Sequence, residues 1–184
     1  MSTHAIDAAA VPALAALVRA AKAGDRAAFG ELYKRFAGMV HSIALAGGAM
    51  ADADDVVQEV FMRALRRLKA LRSCEAFGAW IAAIARNTTR DVHQKLHDQL
   101  EGRDMRTIAG TQHDEMEARI ALNAIRGLPR AYRETIMMRL VDGLTGPEIA
   151  DRTGLSPASV RVNLHRGMKL LRKELEALSA RSHQ

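Results

Sequence analysis

Apolar side chains recur every three or four residues along the first half of the chain. The pattern begins at Leu14, restarts at Phe29, and returns over residues 56–68 and 77–90. Residues at this spacing share one face of an α-helix, and such a face packs against a core. The first half therefore predicts four amphipathic helices.

The third of these helices has the clearest pattern. Its first turn contains Asp54 and Asp55, whose charges suit a helix N-terminus, and Asp52 before them is predicted to cap the helix. The apolar face, which we expect in the core, consists of Val56, Val57, Val60, Phe61, Ala64, Leu65 and Leu68.

The second half shows two further apolar stripes, over residues 120–128 and 132–140. After them, Thr145 is followed three residues later by Glu148, which is the pattern of a capping box at a helix N-terminus. A short helix is therefore predicted to begin there.

A helix-turn-helix is predicted around this short helix. Small Ala150 allows two helices to cross closely, Gly154 suits the left-handed turn between them, and Val160 anchors the second helix by packing back. Ser156 and Pro157 favour the start of that second helix, because proline lacks only an N–H that the first helical position leaves unpaired.

Composition agrees with these helices. Aromatic residues make up only 4% of the 184 residues, and glycine and proline number 13 and 4. Strands prefer aromatic and β-branched residues, whereas the 48% hydrophobic content is enough for a real core. We therefore expect an all-α protein. Cys74 is the single cysteine, which excludes an internal disulfide.

Charge divides the chain into three parts. Residues 96–117 contain two basic and six acidic residues, whereas the flanking parts are basic and bring the total to +6. This segment also lacks a continuous apolar stripe. We therefore predict two small helical domains, 1–96 and 116–184, that move independently on a flexible acidic linker at 97–115.

The net positive charge predicts a polyanionic partner. The last predicted helix contains five basic residues and no acidic residue between positions 158 and 173. We interpret it as a DNA-recognition helix. A second basic run at 63–72 predicts that the first domain also contacts nucleic acid.

These motifs together resemble the bacterial RNA polymerase sigma factors of the extracytoplasmic-function (ECF) group. Residues 54–61 resemble the polymerase-binding helix of that family, residues 77–91 the element that reads the minus-ten promoter sequence, and residues 128–166 the domain that reads the minus-thirty-five sequence. The resemblance implies a transcription initiation factor that directs core RNA polymerase to specific promoters.

The resemblance also implies roles for individual residues. Contacts to a coiled coil of the largest polymerase subunit are expected from Asp54, Asp55, Gln58 and Glu59. Contacts to minus-ten DNA are expected from Arg66, Lys69, Arg72, Ser73, Asn87 and Arg90. Contacts to minus-thirty-five DNA are expected from Ser159, Arg161, Val162, Asn163, His165, Arg166 and Lys169.

The expected partners are core RNA polymerase, with its flap region binding the C-terminal domain, promoter DNA and an anti-sigma factor. The apolar run at 8–18 is too short to cross a bilayer and has no preceding Lys or Arg, so we expect no membrane insertion and a cytoplasmic location.

Parts of the sequence are also compatible with two other functions. An autonomous helix-turn-helix regulator explains residues 118–184 equally well, but it does not explain the motif at 54–59. A metalloenzyme is less favoured, because His93 and His97 have one-turn spacing but no evident third ligand. We expect no enzymatic activity, cofactor or metal.

Overall fold

The computed structural model describes residues 10–49, 52–100 and 114–182. Within these ranges the chain forms eight α-helices and no strand, which confirms the all-α class. The helices are α1 (Ala10–Lys22), α2 (Arg26–Ala46), α3 (Ala53–Arg67), α4 (Phe77–Leu100), α5 (Asp114–Arg126), α6 (Arg130–Leu140), α7 (Gly146–Thr153) and α8 (Pro157–Ser182).

Several predicted helix boundaries are confirmed. The capping box at α7 is complete, since Glu148 accepts the backbone N–H of Thr145 at 2.8 Å and Thr145 accepts that of Glu148. Gly154 has the left-handed conformation, with φ of 73°. Ser156 accepts the backbone N–H of Ser159 at 3.1 Å, which fixes the start of α8.

Some local predictions were wrong. Asp52 lies at the N-cap position of α3, but its side chain makes no capping hydrogen bond. Leu65, Ile120 and Leu140 were assigned to apolar faces, yet they are 55%, 36% and 52% exposed. Each lies at the margin of its stripe, where helical spacing alone does not decide which side of the helix the neighbours cover.

The first four helices enclose the larger part of the core. Phe36 on α2 and Phe77 on α4 are fully buried, with their rings edge to face at a centroid distance of 5.1 Å. Burial of large apolar side chains is the main stabilising contribution to such a core. This packing sets the surface on which α3 and α4 present their polar residues.

In the second half, α8 packs closely on α6. A Cβ at Gly167 of α8 would lie 2.6 Å from Cδ1 of Ile136, so glycine is what allows these helices to approach. Val160, at the start of α8, is 1% exposed, as the helix-turn-helix pattern predicts.

The two halves are in contact with each other, which the sequence analysis did not predict. On α6, Ile136, Met137 and Met138 are all fully buried, although three consecutive residues cannot face the same side of a helix. Met138 and Ile149 of α7 belong to the same buried cluster as the core of the first four helices. The α6 helix is thus covered on two sides, by α8 and by α2.

Helical structure reaches both ends of the predicted linker. The α4 helix continues to Leu100 and the α5 helix begins at Asp114. The remainder of the linker prediction, residues 101–113, lies outside the described residues.

Candidate polymerase and nucleic-acid interfaces

The polar face of α3 presents the predicted polymerase-binding residues. Asp54, Asp55 and Gln58 are exposed, while Val57 and Val60 on the other side are buried. The first turn thus combines two carboxylates with the positive end of the helix dipole, which stabilises them there. The result is an acidic surface free to contact a basic partner.

Glu59 has a different environment. Its side chain is 37% exposed, and Oε1 accepts a 2.7 Å hydrogen bond from Nε of Arg63. Arg63 also donates through Nη1 to Asp91 on α4 at 2.9 Å, and these hydrogen bonds raise the pKa of Arg63. Glu59 is therefore part of a bridge between α3 and α4 as well as a candidate contact.

The predicted minus-ten residues fall into two groups on neighbouring helices. Arg66, Lys69, Arg72 and Ser73 are exposed at the end of α3 and in the segment that follows it. Between them Leu71 is buried, and its carbonyl accepts a 2.6 Å hydrogen bond from Nζ of Lys22. This packing holds the segment against α1.

The second group lies on α4. Asn87 and Arg90 are exposed and one helical turn apart, and Nη2 of Arg90 donates to Oδ1 of Asn87 at 3.3 Å. An amide beside a guanidinium can contact both a base edge and a phosphate. Trp80 is only partly buried and packs against Phe77 at a centroid distance of 5.7 Å, so it contributes to the core as expected.

The recognition helix exposes most of the predicted minus-thirty-five residues on α8. The exposed residues among them are Ser159, Arg161, Val162, His165, Arg166 and Lys169. The buried positions of the same helix, Val160, Gly167 and Leu171, face the core. An α-helix with this arrangement fits the major groove of B-DNA.

Asn163 differs from the prediction of an outward-facing residue. It is half-buried, and its Nδ2 lies 3.5 Å from Oγ1 of Thr135 on α6. Thr135 itself is buried and donates to the carbonyl of Ala131 at 2.6 Å. Asn163 therefore faces α6 and orients the recognition helix.

Polar contacts between the two halves were missed by the sequence analysis. Arg86 on α4 pairs with Glu134 on α6 at 2.9 Å, and Arg35 on α2 pairs with Asp151 on α7 at 2.7 Å. These partners are at least 48 residues apart in the chain. The sequence offered no signal for these pairs, because the burial of Glu134 within positions 134–138 is visible only in the structure.

A third polar contact joins Ser42 on α2 to Asp142 after α6 through a hydrogen bond to the carboxylate. Burial raises the pKa of Asp142, and the hydrogen bond from Ser42 opposes that effect. The contact between the halves therefore includes a carboxyl group that is partly desolvated.

The described residues contain no group of three or more His, Cys, Asp or Glu side chains that could hold a metal ion. The side chains of His93 and His97 lie outside the described part. Among the described helices, none combines the length and apolar character needed to cross a membrane.

Comparison with protein families gives two matches. Residues 32–97 match the model "Sigma-70 region 2", and residues 118–171 match "Sigma-70, region 4". The first match contains α3 and most of α4, and the second contains the helix-turn-helix. The first match therefore includes the candidate polymerase-binding and minus-ten residues, and the second includes the candidate minus-thirty-five residues.

Curated relatives are also similar over most of this chain. The ECF RNA polymerase sigma factor BldN of Streptomyces coelicolor is 29% identical over 86% of this chain and 64% of its own length. The RNA polymerase sigma factor CarQ of Myxococcus xanthus is 31% identical over 84% of this chain and 93% of its own length. The match to a third relative, the probable RNA polymerase sigma factor RfaY of Xanthomonas campestris, covers only 42% of that protein's length.

A solved structure agrees with the fold. CnrH, determined in complex with the cytosolic domain of CnrY, is 28% identical and superposes with a TM-score of 0.59. The match covers 90% of this chain and 98% of CnrH.

Proposed function

Because this chain belongs to the ECF group of RNA polymerase sigma factors, we propose that it binds core RNA polymerase and directs it to specific promoters. One observation carries the proposal. Two separate polar surfaces, one on α3 and α4 and one on α8, lie within the two matched family regions and are exposed at the residues that need to contact partners. Members of the family are initiation factors, and the polymerase supplies the catalysis.

In this proposal the acidic first turn of α3 binds the coiled coil of the largest polymerase subunit. Asp54, Asp55 and Gln58 make the direct contacts because they are exposed and lie on one side of the helix. Glu59 contributes through its carboxylate while Arg63 holds it in place.

Minus-ten recognition is assigned to the exposed residues around the end of α3 and on α4. Arg66, Lys69 and Arg72 supply positive charge for the DNA backbone, and Ser73 and Asn87 supply polar groups for unpaired bases. Arg90 lies beside Asn87 and contacts phosphate. Ser73 also donates to Glu75 at 2.8 Å, so a base must compete with that bond.

Minus-thirty-five recognition is assigned to α8. Ser159, Arg161 and Val162 lie in its first two turns, where a recognition helix reaches base edges. His165, Arg166 and Lys169 lie further along and contact the DNA backbone, where Arg166 and Lys169 neutralise phosphates. Asn163 is assigned the role of positioning α8 against α6, because its amide faces Thr135.

Further partners belong to the same proposal. An anti-sigma factor is proposed because CnrH, which is similar over 90% of this chain, was determined with a partner chain. The polymerase flap is proposed to bind the C-terminal half. We place the protein's action in the cytoplasm, where polymerase and promoter DNA are.

The proposal is tested by transcription with purified core polymerase on a promoter library, with and without this chain. We expect specific transcripts that depend on the chain. Changing Asp54, Asp55 and Gln58 together to Ala should weaken polymerase binding, while helicity stays unchanged because these residues are outside the buried face.

The control is Glu31→Ala, which removes an exposed acid from α2. Native polymerase affinity in the triple variant would refute the docking assignment. Specific promoter binding that is equally tight without polymerase would instead identify an autonomous helix-turn-helix regulator.

A further inference from the structure

A cavity of about 570 Å³ lies where α2 and α4 of the first half meet the start of α6. Cavities that bind small molecules range from about 300 to 1,000 Å³. Four of the lining residues are arginines and one is a glutamate, so the lining has a formal excess of three positive charges. The arginines are Arg86, Arg90, Arg130 and Arg133.

The carboxylate in the wall does not balance these charges. Glu134 bonds to Arg86 and lies 3.6 Å from Nε of Arg130, so two guanidiniums share one carboxylate. Nη1 of Arg133 donates at 2.6 Å to the neutral carbonyl of Arg126. Its Nε is buried and makes no hydrogen bond with the described part of the chain.

A buried donor without a partner costs free energy, which applies to Nε of Arg133, although the residue as a whole is only partly buried. An anion in the cavity would supply the missing negative charge beside Arg133. The N-terminus of α6 lies at the same wall without a side-chain cap, so its dipole adds to the positive potential.

The lining also includes a small apolar area from Ile43 and Ala46 of α2, which are 2% and 3% exposed. A ligand that is charged at one end and less polar at the other would match this lining. A guanidinium binds two oxygens of a phosphate or of a carboxylate, but a phosphoryl group carries more negative charge, which suits a lining with several guanidiniums.

We propose that this cavity binds a phosphorylated small molecule of nucleotide size. Its phosphoryl oxygens contact Arg130 and Arg133, and its less polar part lies against Ile43 and Ala46. This function is separate from polymerase and promoter binding. Because the walls come from both halves, the ligand stabilises the contact of α6 with α2 and α4.

Isothermal titration calorimetry on the full chain tests the proposal with ATP, inorganic tripolyphosphate and adenosine, without divalent cations. We expect ATP to bind more tightly than tripolyphosphate, which lacks the apolar part, and adenosine to show no binding. The paired change Arg130→Gln and Arg133→Gln should lower ATP affinity about tenfold or more.

The matched control is the paired change Arg19→Gln and Arg26→Gln. It removes the same charge from exposed positions, and Arg26 is about 30 Å from Ala46 along α2. The control should keep ATP affinity within about twofold. Arg130 is 69% exposed, so Arg130→Gln alone tests the site if the paired variant fails to fold.

Three results would overturn the proposal. Equal losses in the pocket and control variants would show general attraction to a basic protein. Equal affinities for adenosine and ATP would show that the phosphoryl groups do not contribute to binding. Tighter binding of a random single-stranded oligonucleotide than of ATP, with the same sensitivity to Arg130→Gln, would assign the arginines to a nucleic-acid backbone.

Discussion

Arg86 on α4 and Glu134 on α6 form a two-pronged ion pair across the contact between the two halves. Nε of Arg86 lies 3.0 Å from both carboxylate oxygens, and Nη2 lies 2.9 Å from Oε2. The Glu134 side chain is only 10% exposed. Its charge therefore depends on neighbouring guanidiniums for compensation.

Replacing Arg86 by Met should weaken the contact between the halves. The change leaves Glu134 desolvated without its two-pronged partner, which should cost about 2–3 kcal/mol of unfolding free energy. We expect a lower denaturant midpoint and a larger radius of gyration by small-angle X-ray scattering. Arg66→Met, at an exposed position, is the control.

The double change Arg86→Met with Glu134→Met separates charge from packing. It removes the uncompensated carboxylate, so it should recover most of the lost stability. A double variant that is less stable than Arg86→Met alone would contradict this explanation.

Gly78 gives a steric test of the same contact. A Cβ at this position would overlap the carbonyl oxygen of Arg152 on α7 and approach the Phe36 ring to 3.2 Å. Gly78→Ala should therefore push α7 away from α4 and lengthen the distance between spin labels on the two halves.

Gly30→Ala is the control for this change. No atom lies within 4 Å of a Cβ built at Gly30, which is inside α2. This variant should be about 0.5–1 kcal/mol more stable than the parent chain. If Gly78→Ala leaves the label distances as they are in Gly30→Ala, α7 does not pack on α4 in solution.

Asp142 should make stability depend on pH in the direction opposite to most carboxylates. Burial raises the pKa of Asp142 above 3.8, with opposing contributions from Ser42, His41 and Arg152. The folded chain then holds this proton to a higher pH than the unfolded chain does. The stabilising contribution is present at low pH and is lost as pH rises through the folded pKa.

The comparison is with Asp142→Asn, which keeps an acceptor for Ser42 but does not titrate. In the range just above pH 3.8, the parent chain should gain stability relative to the variant as the pH falls. A constant difference between the two proteins would show that Asp142 titrates normally.

Arg161 and Arg166 are expected to act differently on upstream DNA. Arg161 lies early in α8 and is exposed, so Arg161→Ala should cost about 1–3 kcal/mol and relax specificity at one base pair. Arg166→Ala should weaken binding to all sequences alike and reduce the salt dependence. Binding to a library of upstream elements at several salt concentrations measures both, and identical specificity profiles would contradict the division.

The helices could be predicted because their signals are local. Thr145 and Glu148, which form the capping box, are three residues apart. The left-handed turn at Gly154 is predicted from the residue type at that single position. The polar face of α3 follows from the same kind of reasoning, since burial of Val57 and Val60 leaves Asp55 and Gln58 outside. Exposed positions at the centre of a polar face were therefore predicted correctly.

The contact between the halves could not be predicted in this way. Its polar pairs join residues that are far apart in the chain, and neither residue of a pair indicates its partner. Periodicity also assigns one apolar face to each helix, whereas α6 buries Ile136, Met137 and Met138 against two neighbours. Asn163, whose contact with DNA stays a prediction, is half-buried and faces α6.

The shared core has a consequence for the lifetime of the protein in a cell. Met138 and Ile149 are at most 1% exposed, and both pack into the core of the other half. Separation of the halves would therefore expose apolar side chains that chaperones and proteases recognise in unfolded chains. We expect any state with separated halves to be short-lived unless another macromolecule covers that surface, so the steady-state amount of this protein should follow the supply of its binding partners.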